Sequence, residues 1–278
     1  MGACLSSRVM PTVVRSPAAI DVLSNFDAGS KLEAHYIDSD QHTHWNGTVD
    51  MLARAFCGST TSAPCPILSW VYTGTLQLGP LASAPNEERI EWFKYNMGFC
   101  AHTCVGRGGL YALVDKGTGK VVAATGVIPP GARSLSQQSL CEVIAVDGKL
   151  KRPKHDKALD GKWMARSAYL TKTMSSVHNE LAPGDHYYIL CFGVDPAAQG
   201  TGAAGALLSL LHKLADAEGV PIYLESGAKK GPGFFAKKGG FQPMKRVTLS
   251  HGKAQAFDAT IDGGLVGMVR SAGTGGPH

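Results

Sequence analysis

The 278-residue chain is 44% apolar and carries a formal charge of +5, which suits one domain with appendages and an anionic ligand or acidic surface. That charge is far below the density of a nucleic-acid binder, and no basic-aromatic interleaving of that kind occurs, so nucleic acid is excluded as a partner. No apolar run is long enough to cross a bilayer, and seven cysteines without a secretory signal point to reduced thiols in a cytosol-like compartment.

The opening residues, MGACLSSR, fit the pattern M-G-x-x-x-S/T through Gly2 and Ser6, with Cys4 beside them. A myristoyl chain on Gly2 gives only marginal membrane binding, and a second acyl chain on Cys4 would make attachment to a membrane surface stable. The same stretch supports a second reading, since no acidic residue occurs up to Ile20 and Arg8, Arg15 and several serines resemble an organelle transit segment. A plain flexible tail is the third. Residues 1–42 lack sustained periodicity and are expected to form a tail, followed by one domain over 43–272 and a short tail over 273–278.

From Thr48, TVDMLARAF reads as a short amphipathic helix, CGSTTSAPC breaks it, and ILSWVY at 67–72 is apolar again. Ser83 to Thr103 repeats the helical pattern, with Ile90, Phe93, Met97 and Cys100 on one face. LYALVD, the turn KGTGK and VVAATGVI form a hairpin over 110–128 that Pro129 and Pro130 stop. Between Gly131 and Gly184 lies a polar insertion holding the basic run KLKRPKHDK at 149–157 and a helix around Trp163 to Leu181. The basic run reads as solvated surface or as a lid toward substrate or membrane. Cys100, His102 and Cys104 do not make a zinc trio, because positions two apart on a helix face different ways.

The chain is organised around Asp185 to Gly219. Tyr187 to Val194 is an almost uninterrupted apolar run, as in a strand buried on both faces, and Asp195-Pro196 ends it. A glycine-rich turn follows, then a helix from Ala203 striped by Leu207, Leu211 and Leu214, with Gly219 just past its end. Helix N-termini offer unpaired N–H groups and a partial positive charge, so Gly200, Thr201, Gly202, Ala203, Ala204 and Gly205 form a cradle fit for a pyrophosphate. Beyond it, IYLES (222–226), a helix in GFFAKKG, and VTLSH paired with AFDATI complete the expected elements.

Two kinds of site fit that cradle. Gly200, Gly202 and Gly205 match the G-x-G-x-x-G spacing of dinucleotide binders, with Glu225 near the place of the acidic ribose ligand, which would make the chain an NAD-linked oxidoreductase. The second accounts for more residues. Val194 to Ala204, VDPAAQGTGAA, resembles the V-x-P-x-x-Q/R-x-x-G-x-G/A segment of the GNAT superfamily of N-acetyltransferases, with Gln199, Gly202 and Ala204 at its signature positions. YLES followed by FFAKKGGF is similar to that family's fifth strand and the helix ending in Gly-Phe, and GLVGMVR at 264–270 to the terminal strand of fungal and algal members. The likeness spans Trp45 to Arg270.

The resemblance implies a single α/β domain with a mixed, mostly antiparallel, splayed sheet flanked by helices. It implies acetyl-CoA as co-substrate without a metal, its pyrophosphate on Gly200 to Gly205 and its pantetheine amides along Phe192, Gly193 and Val194, with direct attack by an amine acceptor. A lysine-like amine costs about 4.6 kcal/mol to deprotonate at pH 7, so a base is needed. Glu225 leads, and His186 and Tyr188, on alternating positions of the central strand, are the others. Many relatives carry a tyrosine four residues before the glycine of the terminal Gly-Phe; here that position is Ala236, beside Phe235, which would only line the pocket. The missing phenol keeps a third possibility in play, a non-catalytic acyl-CoA-binding protein.

Overall fold

Period-two apolar runs and Leu-striped helices set the architecture. The computed structural model describes residues 16–58, 64–74, 87–132, 140–153, 162–227, 230–254, 256 and 265–273. Gly2, Cys4 and the end of the basic run lie outside the described residues. The strands are β1 Leu32–Tyr36, β2 Leu110–Asp115, β3 Val121–Ile128, β4 Tyr187–Val194, β5 Ile222–Ser226, β6 Gln242–Val247 and β7 Leu265–Arg270. The helices are α1 Pro17–Ser24, α2 Trp45–Cys57, α3 Pro66–Thr73, α4 Glu87–Val105, α5 Leu140–Asp147, α6 Trp163–Leu181, α7 Ala203–Glu218 and α8 Gly231–Gly239. None of the described helices is long and apolar enough to cross a membrane.

The strands form one sheet in the order β1-β2-β3-β4-β5-β7-β6, with β4 and β5 parallel and every other pair antiparallel. Alternation along the strands sends Leu113 and Ala123 to one face, against Ala203 and Leu207 of α7, and Ala112 and Ala124 to the other, against α2 and α4. The α7 stripe is buried as its spacing predicts, and Gly219 closes the helix at φ +68°. Arg270, fully buried at the end of β7, holds Asp216 of α7 through two bonds of 2.9 Å each.

The expected tail over 1–42 is corrected from Ser16 onward. Ser16 caps α1, accepting from the Ala19 N–H at 3.1 Å, and α1 packs on α7; β1 pairs with β2 from Leu32↔Asp115 to Tyr36↔Tyr111. Both elements are short. An eight-residue helix and a five-residue edge strand reading LEAHY carry too few turns or alternations to stand out from sequence. The pairing of VTLSH with AFDATI is also corrected: β6, which ends at Val247, pairs with β7, and residues 257–264 lie outside the described residues. As an edge strand β6 is largely exposed, so its QPMKRV sequence lacks an apolar rhythm.

One glycine bears directly on sheet closure. Gly109 accepts from the Val127 N–H at 2.7 Å, and a Cβ there would meet the Val127 carbonyl oxygen at 2.0 Å. Gly109→Ala should therefore destabilise the fold by about 2–3 kcal/mol, since backbone cannot yield as a side-chain tip can, and urea denaturation measures it.

Candidate active site

The site begins with a fault in the sheet. Facing Gly126 and Val127 of β3 are Cys191 and Ile189 of β4, so Leu190 is an extra residue in β4, a β-bulge. The bulge coincides with the end of the β4–β5 ladder, whose pairs are Tyr187↔Ile222, Tyr188↔Tyr223 and Ile189↔Leu224. From Leu190 to Val194 β4 runs on without β5. The gap opens into a cleft of about 960 Å³, bounded by β4, β5, α3, α4, α6, α8 and the start of α7.

At one end of the cleft stands the glycine cradle. Asp195 anchors the turn from β4, taking the Ala197 N–H at 3.0 Å on one oxygen while Arg54 of α2 donates to the other at 2.6 and 3.1 Å. Gly200 and Gly202 adopt φ of +82° and +94°, which a residue with a Cβ rarely adopts. No side chain caps α7 at Gly202, leaving its first N–H groups to a guest. Gln199, Gly200, Gly202, Ala204 and Gly205 line the cleft, as do Phe192, Gly193, Val194 and Phe235. Thr201 and Ala203 are not among the lining residues: the Thr201 hydroxyl donates to the Ala198 carbonyl at 2.7 Å, and Ala203 is buried in the core. Lys230 and Lys238 line the cleft and add positive charge, and Phe235 stands edge-on to Phe192 at 5.6 Å. An anion with an extended amide-bearing arm fits this set of groups. Ala236 is not among the residues lining the cleft.

On the β5 side is Glu225. It is half-buried, its Oε1 accepts from the Tyr223 hydroxyl at 2.8 Å, and its Oε2 is shut from solvent without a partner among the described residues. Burial lifts its pKa to about 7, partly offset by the hydroxyls of Tyr188 and Tyr223. The same burial, with the carboxyl beside them, pushes both phenols upward, so they stay protonated as donors. A carboxyl poised near neutrality at a cleft wall is suited to taking a proton from an amine.

Of the two other candidate bases, Tyr188 lines the cleft and His186 does not. His186 instead meets His178 of α6, their Nε2 atoms 2.6 Å apart, and its Nδ1 lies 2.6 Å from the Gly184 carbonyl. The ring of His178 stacks on Tyr223 with centroids 4.8 Å apart and planes 8° apart. Tyr223 and His178 escaped the sequence reading. Tyr223 was within reach, since in a strand it shares a face with Glu225 two positions on, whereas only the packing of α6 brings His178 in.

The G-x-G-x-x-G alternative loses its support here. A dinucleotide site needs several parallel βα units, and this sheet has one parallel pair, with a 3₁₀ turn over Pro196–Ala198 between strand and glycines.

No protein-family model matches the chain, and no curated protein does. Solved structures do. The C-terminal condensation domain of Ebony, in complex with beta-alanyl-dopamine, superposes with a TM-score of 0.55 at 9% identity, covering 87% of this chain and 99% of that one. Arylalkylamine N-acetyltransferase 2 from Aedes aegypti gives 0.52 at 10% identity, covering 86% and 98%. An apo agmatine N-acetyltransferase gives 0.51 at 12%, also covering 86% and 98%. Identities this low speak to architecture alone, and the splayed seven-stranded sheet with its bulged β4 and glycine-led α7 is the GNAT fold.

Proposed function

We propose that the chain is an N-acyltransferase that moves the acetyl group of acetyl-CoA to a primary amine by direct attack. One observation carries the reading: the gap between β4 and β5 has an uncapped helix N-terminus on its β4 side and a carboxyl of pKa about 7 on its β5 side. The cradle from Gln199 to Gly205, with Lys230 and Lys238, would hold the diphosphate, and the backbone of Leu190 to Val194, lacking β5, would pair with amides of the pantetheine arm. Bound there, acetyl-CoA supplies an activated acyl thioester. Glu225 takes the ammonium proton, and Tyr223 holds the carboxyl in place through its 2.8 Å bond. No phenol stands on α8, so the departing thiolate has no acid from that helix.

The acceptor half of the cleft narrows the choice of amine. Ile67, Val71, Leu170 and Met174 line it, and Glu225 is the one carboxylate among the described lining residues. A second cationic group would lie against apolar walls without a partner, a costly arrangement. Of the acceptors named for the structural neighbours, an arylalkylamine matches this lining better than agmatine does.

A panel of amines incubated with acetyl-CoA tests the reading by thiol release and by mass gain of one acetyl group. Amines with an apolar body should exceed dicationic ones by at least about tenfold in kcat/KM, the discrimination expected when one partner leaves a charge unpaired. Tight acetyl-CoA binding without turnover on any amine would leave the acyl-CoA-binding alternative standing.

A further inference from the structure

Behind the cleft lies a second, smaller cavity of about 440 Å³, reached from the loop after β3 and the turn before β4. His178 and Tyr188 line both cavities, and His186 and Asp185 line only the smaller one. The two histidines thus stand in the partition between the proposed reaction chamber and a separate opening. Resting on the acyltransferase reading, we propose that His178 and His186 are positioning residues that carry the proton taken by Glu225 out through this rear cavity.

Hydrogen bonding fixes the direction of the relay. The Gly184 carbonyl can only accept, so His186 donates from Nδ1 and keeps a lone pair on Nε2. The neighbouring Nε2 of His178, at 2.6 Å, is then the donor, which leaves Nδ1 of His178 as an acceptor. The tautomers are therefore set for transfer from His178 to His186. Tyr223 joins the carboxyl to the pair, its hydroxyl on Glu225 and its ring face on His178.

The proton balance is simple. An N–H bond of the ammonium breaks as an O–H bond forms on Glu225. That proton crosses the cleft solvent to Nδ1 of His178, the Nε2 proton of His178 passes to Nε2 of His186, and the Nδ1 proton of His186 leaves to water in the rear cavity. Half-turns of the two rings restore the starting tautomers. Burial holds both imidazoles below their ordinary range, His178 at about 4 with the neighbouring His186 adding to the effect, so each ring is neutral between turnovers and holds a proton only in passing.

The test compares the wild-type chain with His178→Phe and His186→Phe, both of which keep a ring in place and remove its nitrogens. Thiol release from acetyl-CoA is followed with an amine that the wild type turns over, with and without added imidazole. The expected result is a loss in kcat of about tenfold for each variant at unchanged KM for both substrates, reversed several-fold by imidazole and carrying a solvent deuterium isotope effect larger than that of the wild type. Because His178 is buried and its variant is the more exposed to folding loss, His186→Phe, at a half-buried position, supplies the same readout independently. Wild-type kcat in both variants, or a loss that imidazole leaves untouched, overturns the relay alone. A wild-type chain inert toward every amine overturns the transferase reading and the relay together.

Discussion

Glu225→Gln is expected to lower kcat for acetyl transfer about 100- to 1000-fold, the range typical of removing a positioned general base, while acetyl-CoA still binds. The wild type should show a limb in kcat rising with pH through about 7, as the carboxyl ionises, and the variant should lack it. The same substitution has a second signature, in stability. Glu225 ionises near 4.5 in the unfolded chain and near 7 in the folded one, so its folded-state pKa is raised. Its contribution to stability is complete below about pH 4.5 and is lost as pH climbs to about 7. The loss amounts to at most roughly 3 kcal/mol, and glutamine, which does not titrate, escapes it. The melting temperature of Glu225→Gln relative to wild type should therefore increase between pH 4.5 and 7 and level off above. A parallel course for the two proteins across that range would mean that the carboxyl is ionised throughout and is not the base.

The second large effect is expected at Gly202. Its φ of +94° is open to glycine and strained for any β-branched residue, yet no atom lies within 4 Å of where a Cβ would stand. Gly202→Val should therefore leave the core packing intact and act on the cradle itself, by bending the turn and by placing methyl groups over the first N–H groups of α7. We expect acetyl-CoA affinity to fall about 100-fold in equilibrium dialysis, roughly 2.7 kcal/mol, with a melting temperature lowered by only a few degrees. Undiminished affinity would remove the diphosphate from the glycine turn.

How far the sequence led depended on where each residue's partners lie. The run Tyr187 to Val194 could be read as a central strand because burial on both faces leaves no polar residue to mask it, and the Leu stripe of α7 because three turns repeat the pattern. The glycines at 200 and 202 were legible for a backbone reason, since each adopts a positive φ. Leu190 shows the limit. Nothing in ILCFGV marks it as the extra residue, because a bulge is defined by the register of the neighbouring strand. The splay was expected from family resemblance, and its local cause became visible only in the pairing of Gly126 with Cys191. His178 is a similar case. It sits in an insertion that reads as polar surface, and its place between two cavities comes from how α6 lies over β5 and β4.

The bulge at Leu190 also has a mechanical meaning. Strands β1 to β4 and strands β5, β7 and β6 share only three residue pairs along the β4–β5 seam, so the sheet is two panels joined by a short hinge. An extended ligand lying in the open part of that seam rivets the panels along their whole length. Occupancy then stiffens the molecule across its middle, and the distance between Glu225 on one panel and the glycine turn on the other becomes fixed only when the slot is filled.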